Sequence, residues 1–530
     1  MALVSREALW EYQAAASSTP PVDPFTEVVP ASSWLGPEPA PFGTLGDFIA
    51  PFPINTAWAV NTGIWLRRNV AVDGTAPVLI TGRVENACFV YWDGEFIGGA
   101  NLDNSNITGA PEWSVVVPAD LADEGTHELA LLCIDEPGSV SGDTTYIYVE
   151  ADYLPGMLPL QPQAPVKETL GWLTDVMISE NASEDRVQVR LSPRQSFRFT
   201  YPADAIEKSR AFNIVYGNRA REWLVPVWTQ AQYLGAVSAD LTTLTCDPDY
   251  SEFRASSLAL LWQSPTEWQV VGVYEVGGSS LTLCSVTEAF TGAWLMPLRR
   301  GHVQGNPKKT FNGYNSQYDL QYEIDDNAAL TVSAPTQYLS DDIYFEPSLF
   351  NGTEADEDIL TKLDIQDEDL GVVDYFAPWT YNRTSRIYRV VAEDAQEAWA
   401  LRQWLHRRAG RFRRFWQPSF EADMRVLSTG SITNLLIVAN DENLRYVPER
   451  THVAIEAGGT WYARAITDAE LISETQLQIT LSSSLGGIAA SSIQRVCYLG
   501  LKRLDTDRIE ITHLGAGVCQ TEARVIEMQP

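Results

Sequence analysis

The sequence predicts a mainly β protein: an N-terminal β-sandwich followed by two repeated β-rich modules, each with one helix packed on a sheet and a small β-barrel-like meander. Three observations lead there. Short apolar, β-branched and aromatic runs recur between Gly-containing turns from residue 59 onward. Helical spacing is scarce, and its clearest case is the stripe Ala398, Leu401, Trp404, Leu405 and Arg408. An ordered series of matches links two segments about 188 positions apart.

The 530 residues exceed what a single core serves, so about two to four domains are expected. The 45% hydrophobic content, with 17 Trp and 21 Tyr, suits packed globular domains. Acids outnumber bases by 69 to 37, a formal charge of −32, which argues against wrapping a phosphate backbone. Cysteines 88, 133, 246, 284, 497 and 519 form no C-x-x-C pair, so no thiolate metal site or cluster is expected, and free buried thiols are. Cys88 and Cys133 both fall in strand-like runs and could face each other.

Residues 1–58 read as an extended arm. Its start, "MALVSREALWEYQAAASS", is broken by Arg6, Glu7 and Glu11 and carries no signal-peptide core, and "STPPVDPFTEVVP" and "GPEPAPFG" are Pro-rich. Apolar runs such as "SLALLW" fall far below the ~18 residues a membrane span requires, so synthesis in the cytoplasm and no membrane span are expected.

Residues 59–153 read as the sandwich. The runs "GIWLRRNVAV", "APVLITGRV", "ACFVYWDGEFIGG", "EWSVVVPADL" and "THELALLCID" are separated by turn signals at Asp73-Gly74, Asp93-Gly94 and Glu124-Gly125. Arg67 and Arg68, Tyr91 to Gly94 with Gly98, Asp120-Leu121, and Gly125 to Asp135 together resemble the galactose-binding-like jelly roll that accompanies family-two glycoside hydrolases. The catalytic barrel of those hydrolases has no counterpart downstream. The resemblance implies a possible carbohydrate-binding role, for which Trp92 and Trp113 are the stacking candidates and Asn101 and Asp103 the polar ones.

Residues 154–170, with four prolines, read as a linker. The first module is assigned to 171–310 and the second to 311–530. "PRQSFRFTYPADAIEKSRAFNIVYGNRAREWLVPVW" aligns with "NRTSRIYRVVAEDAQEAWALRQWLHRRAGRFRRFW", pairing Arg194 with Arg383 and Trp228 with Trp416. "AWLMPLRRGHV" then matches "VCYLGLKRLDTDRI". In the second copy the helix stops at Gly410. Arg407, Arg408, Arg411, Arg413 and Arg414 therefore lie on its last turn and in the strand that follows. Cations at a helix C-terminus are stabilising, which is part of their reason.

The order of strand pair, helix and "R-x-G-R-x-x-x-F-W-x-P" strand resembles tail proteins of long-tailed bacteriophages, whose domains of this kind form rings around the tail lumen. The resemblance implies a structural protein of the distal tail or baseplate hub in the virion. Its partners would be other tail and tip proteins and copies of itself, a trimer in preference to a hexamer. DNA would slide past an acidic lumen, for which 351–371 is a candidate lining or else a solvent loop, without specific binding. Arg407, Arg408, Arg411, Arg413, Arg414 and Trp416 are then intersubunit contact candidates, since guanidinium groups pair with carboxylates bidentately. No catalytic or cofactor motif is present among G-x-S-x-G, G-x-x-x-x-G-K, H-E-x-x-H and G-x-G-x-x-G, so no enzyme and no cofactor are expected. The alternative is a carbohydrate-binding module protein, for host-surface glycan attachment or as an accessory to a glycan-processing enzyme.

Overall fold

The computed structural model describes the chain apart from residues 1, 18, 22, 45–51, 75, 103–111, 136–145, 205, 313–314, 329, 331, 349–355, 368, 370, 380, 382, 442–449, 516 and 530. Strand accounts for 55% and helix for 7%, and among the described residues no sheet closes into a barrel. The chain forms two compact units, residues 1–166 with 197–326, and residues 167–196 with 327–530.

The first unit begins with a two-sheet sandwich. One sheet runs in the order Leu35–Pro39, Leu9–Ala14, Gly63–Val72, Gly125–Ile134, Ala87–Trp92, Glu95–Ala100. The other runs Thr56–Ala57, Phe42–Gly43, Tyr146–Tyr153, Val78–Val84, Trp113–Val117. The segment expected as an arm is thus extended and also stitched in as strands, with Trp10 buried in the core and Glu11 opposite Arg67. Asp93 and Gly94 both take positive φ, the requirement of a two-residue hairpin turn, and Trp92 pairs directly with Glu95 across it. Cys88 and Cys133 are cross-strand neighbours with their Sγ atoms 3.8 Å apart, and both are free.

The first module follows as β1 (Arg194–Ala203), α1 (Glu207–Asn218), β2 (Trp223–Pro226), β3 (Thr243–Thr245), β4 (Ser257–Ser264), β5 (Glu267–Val276), β6 (Ser280–Leu283), β7 (Phe290–Val303), β8 (Lys308–Asn312) and β9 (Asn315–Ile324). The second unit contains β10 (Arg383–Ala392), α2 (Ala395–Arg408), β11 (Phe415–Pro418), β12 (Leu435–Ala439), β13 (His452–Ala457), β14 (Thr460–Ser473), β15 (Gln476–Leu481), β16 (Ile493–Leu504), β17 (Arg508–Gly515) and β18 (Val518–Met528).

Between these labelled strands the pairings repeat, whereas Gln232–Val237, which pairs β7 in the first module, has only isolated bridges as its counterpart. In the first module β1 pairs β9, β2 pairs β7, β3 pairs β6, β4 pairs β5 and β7, β5 pairs β6, and β9 pairs β7 and β8. In the second, β10 pairs β18, β11 pairs β16, β12 pairs β15, β13 pairs β14 and β16, β14 pairs β15, and β18 pairs β16 and β17. The spacing drifts from 189 at the first strand (383 − 194) to 192 at the aromatic strand (415 − 223). Trp416 faces Leu501 on the long strand as Leu224 faces Arg300, so its counterpart is Leu224; Trp228 lies past the strand in a single 3-10 turn.

The segment 154–170 enters a strand, Gln163–Gly171, partway along. Residues 167–196 lie in the second unit, where Leu170 and Trp172 join a core with Tyr388, Leu401, Leu405, Phe415 and Leu504. The helix α2 is capped as its sequence asks. Asp394 accepts from Glu397 N at 2.8 Å and the Glu397 carboxylate accepts from Glu393 N at 2.9 Å, while Ala409 and Gly410 close the other end at positive φ.

In the first unit the sandwich shares its core with the module, because Tyr274 and Cys284 belong to the sandwich cluster. Glycine permits this approach: a Cβ on Gly272 would stand 1.9 Å from the Ser114 carbonyl oxygen, and one on Gly98 2.0 Å from that of Cys284. Gly272→Ala is therefore expected to lower stability by about 2 kcal/mol or more, since backbone must move on both sides. Gly278→Ala, in open space, should leave the urea midpoint unchanged or raise it. Equal midpoints for the two variants would contradict the shared core.

Candidate functional site

The arginine segment folds as α2 dictates. Its last turn delivers Arg407 and Arg408 to one carboxylate, Asp342, which is 4% exposed. Arg407 donates from Nε at 2.5 Å and from Nη2 at 2.8 Å, and Arg408 donates from Nη2 to the same group. Arg408 has no exposed surface; its Nη1 donates to the Arg414 carbonyl at 2.8 Å. Burial, with the added charge of Arg413, brings Arg408 down to about 10 against the pull of Asp341, so it stays protonated at neutral pH. Arg411 reaches Asp507 at 3.4 Å and the Thr174 carbonyl at 2.9 Å, and Arg414 meets Asp341 at 2.9 Å. Trp416 is buried, its ring 4.7 Å from that of His452 and 5.3 Å from that of Tyr338.

Of the six contact candidates, only Arg413 and Arg414 are exposed. They edge a charged cleft with Glu184, Arg186, Gln337 and Asp341. The other four spend their polar groups or their area inside the chain. What the cleft presents is charge of both signs on a fixed frame. That suits a complementary protein surface better than a phosphate backbone, which would need unpaired cations.

Two carboxylates behind this face escape sequence reasoning. The Glu184 side chain has no exposed surface and accepts from Arg383 Nη1 at 2.6 Å and Arg503 Nε at 2.8 Å. Glu168, also fully buried, meets Arg402 Nη2 at 2.6 Å, His513 Nε2 at 2.9 Å and the Gln195 amide at 2.9 Å. Burial alone would push the Glu168 carboxyl up; Arg402, His513 and Gln195 reverse this and hold it at about 2. A signal for Glu168 existed: it shares strand parity with the inward Val166 and Leu170.

The sandwich candidates are placed differently from the expected platform. Trp92 is 1% exposed, donates from Nε1 to the Leu121 carbonyl at 2.9 Å and stacks on the His127 ring at 5.1 Å. Trp113 is wholly buried, and both indoles fill the one sandwich core. Asn101 is buried as well, and Asp103 lies outside the described residues. The open groove on this domain runs elsewhere, along residues 25–31 with Arg67, Asp93 and Glu128. There the Arg67 guanidinium lies 4.3 Å over the Trp34 ring and 2.7 Å from Glu11. Among the described residues no group of three His, Cys, Asp or Glu is arranged to hold a metal ion.

No protein-family model matches the chain, and no curated protein matches it. Among solved structures it aligns with a GH2 β-galacturonidase from Eisenbergiella tayi bound to galacturonate, at 9% identity and a TM-score of 0.19 over 57% of this chain and 44% of that one. It also aligns with a Paenibacillus xanthan lyase, at 9% identity and a TM-score of 0.16 over 50% of this chain and 23% of that one. The chain thus spans less than half the length of either protein.

Glu168 sets a pH prediction. Its folded pKa lies below the ordinary value of 4.5, so the stability it contributes is present above that value and is lost as pH falls toward about 2. The amount is on the order of 3 kcal/mol. Glu168→Gln should lower the urea midpoint at neutral pH and flatten the acid limb of the stability curve over that window. An acid limb identical to the unsubstituted protein's would contradict the pairing.

Proposed function

We propose that the chain is a non-enzymatic assembly protein, and that its setting is the distal tail or baseplate hub of a long-tailed bacteriophage virion. The observation that carries the assembly reading is the duplication, kept pairing by pairing between β1–β9 and β10–β18. Two copies of one fold in one chain match quasi-equivalent positions in a ring, where a three-fold arrangement of chains presents modules with six-fold spacing. The tail setting rests on the "R-x-G-R-x-x-x-F-W-x-P" sequence, which begins on the last helical residue Arg408, carries Arg411, Arg413 and Arg414 in the turn rather than in a strand, and ends in the strand Phe415–Pro418, in the order of the proteins it resembles. A charge of −32 suits a lumen through which DNA slides without binding.

A second reading is a carbohydrate-binding protein, and the sandwich groove favours it. Arg67, Asp93 and Glu128 beside Trp34 offer the polar and aromatic groups that sugar rings use.

Native mass spectrometry of the full chain in low and in high salt separates the two. The assembly reading expects a trimer that survives high salt, or a hexamer if the chain sits in the ring above the hub. A strict monomer that gives saturable signals on a glycan array would overturn it in favour of the second reading.

A further inference from the structure

The second module contains a polar cavity that the assembly reading does not use. It lies between β10, β11, β16 and β18 and has a volume of about 70 Å³. It exists because position 500 is glycine: a Cβ there would stand 2.9 Å from Glu527 Oε1 and 3.5 Å from Lys502 Cε. A water needs ~10–15 Å³ by this measure, so the space fits a cluster of a few waters or one ion of sulfate size. A disaccharide is too large for it.

The walls are unevenly satisfied. Their inner acceptors are engaged: Glu527 accepts from Tyr381 at 3.0 Å and Thr384 at 2.8 Å, and Asp423 accepts from the Tyr498 amide at 2.8 Å and from Ser419. By contrast, Nε and Nη2 of Arg386 are buried with no hydrogen-bond partner among the described residues. Lys502 stands opposite Glu527 on the neighbouring strand and is 5% exposed, and the charges of Glu527 and Glu357 act on it. The Gln417 carboxamide is fully buried, and the Tyr388 hydroxyl is its polar neighbour.

Leaving such donors buried and unpaired costs about 1–3 kcal/mol each, more when charged. The first module shows the alternative. There the long strand's Arg299 is closed by Asp326 at 3.0 Å and by Glu252. Beside Arg386, Arg450 and Lys502 the walls of this cavity carry the carboxylates of Glu357, Glu421, Asp423 and Glu527, of which Glu527 and Asp423 already accept hydrogen bonds from neighbouring groups.

We propose that this cavity binds one small oxyanion of the sulfate, phosphate or carboxylate class, held by Arg386, Lys502 and the Gln417 amide. The charge on Lys502 responds accordingly. Burial and the nearby Arg386 and Arg450 lower its pKa to about 8 against the pull of Glu527 and Glu357. A bound anion raises that value, so affinity falls as pH rises through it. Sulfate, whose own charge is constant over this range, is the probe of choice.

Equilibrium dialysis of the full chain with radiolabelled sulfate in a chloride background tests the site. One saturable site per chain is expected, with affinity reduced about tenfold or more in Arg386→Gln and Lys502→Met, as the loss of a charge-assisted hydrogen bond predicts. The exposed Arg198 provides the control, Arg198→Gln, with affinity unchanged. Lys502→Met removes a buried charge whose desolvation outweighs the pull of Glu527 and Glu357 and should be at least as stable as the unsubstituted protein in chloride. Gln417→Leu, which keeps volume, should weaken sulfate by a smaller factor and decides the matter if both charge variants fail to fold. Absence of saturable binding, or affinity unchanged in whichever of these variants fold, overturns the proposal.

Discussion

Taking a guanidinium out of water is costly unless a carboxylate meets it, and the second unit is organised around that constraint. Arg383, Arg402, Arg408 and Arg503 are 2%, 6%, 0% and 2% exposed. Each ends on a carboxylate that is itself buried: Glu184 for the first and last, Glu168 for Arg402, Asp342 for Arg408. Burying either partner alone would cost several kcal/mol, so these pairs specify where their strands must lie. They also account for the place of residues 167–196. That segment brings Glu168 and Glu184 to arginines more than 190 positions away in sequence, and it lies in the second unit although the chain then continues into the first.

The two modules share topology and differ in how they treat polarity. The first packs aromatic residues, with Phe197, Phe199, Tyr201, Trp223 and Tyr322 in one core, and closes its buried arginine with two acids. The second carries the heavier charge load and keeps a polar cavity at the end of its long strand. Where Gln232–Val237 forms a full strand in the first copy, the second retains only isolated bridges at Met424 and Val426. A duplicated fold whose copies differ in this way can keep one assembly geometry while each copy meets different neighbours.

Much of this was legible in the sequence because it is local. Alternation with Asp-Gly turns marks the sandwich strands, and the stripe ending at Gly410 marks α2. The order of helix and aromatic strand marks the duplication. What was not legible is what depends on distant partners. Trp92 and Trp113 were the available stacking candidates, with ordinary packing the favoured reading, and Ala87–Trp92 is buried on both faces, so alternation along it carries no information about exposure. The arginine run looked like a contact surface because its acids, Asp342, Asp507 and Asp341, are far away in sequence. The match of Trp228 to Trp416 followed residue type, whereas strand register pairs Trp416 with Leu224.

The account turns on intrachain closure of the arginine segment, and a double-mutant cycle on Asp342 and Arg408 measures that most directly. Urea unfolding of Asp342→Asn, Arg408→Met and the double variant gives the coupling energy without assuming what either group contributes alone. The account predicts a favourable coupling of about 1.5–3 kcal/mol, with the double variant markedly more stable than the two single losses would sum to. Additive losses, with coupling near zero, would contradict it and return Arg408 to the surface role its sequence suggests.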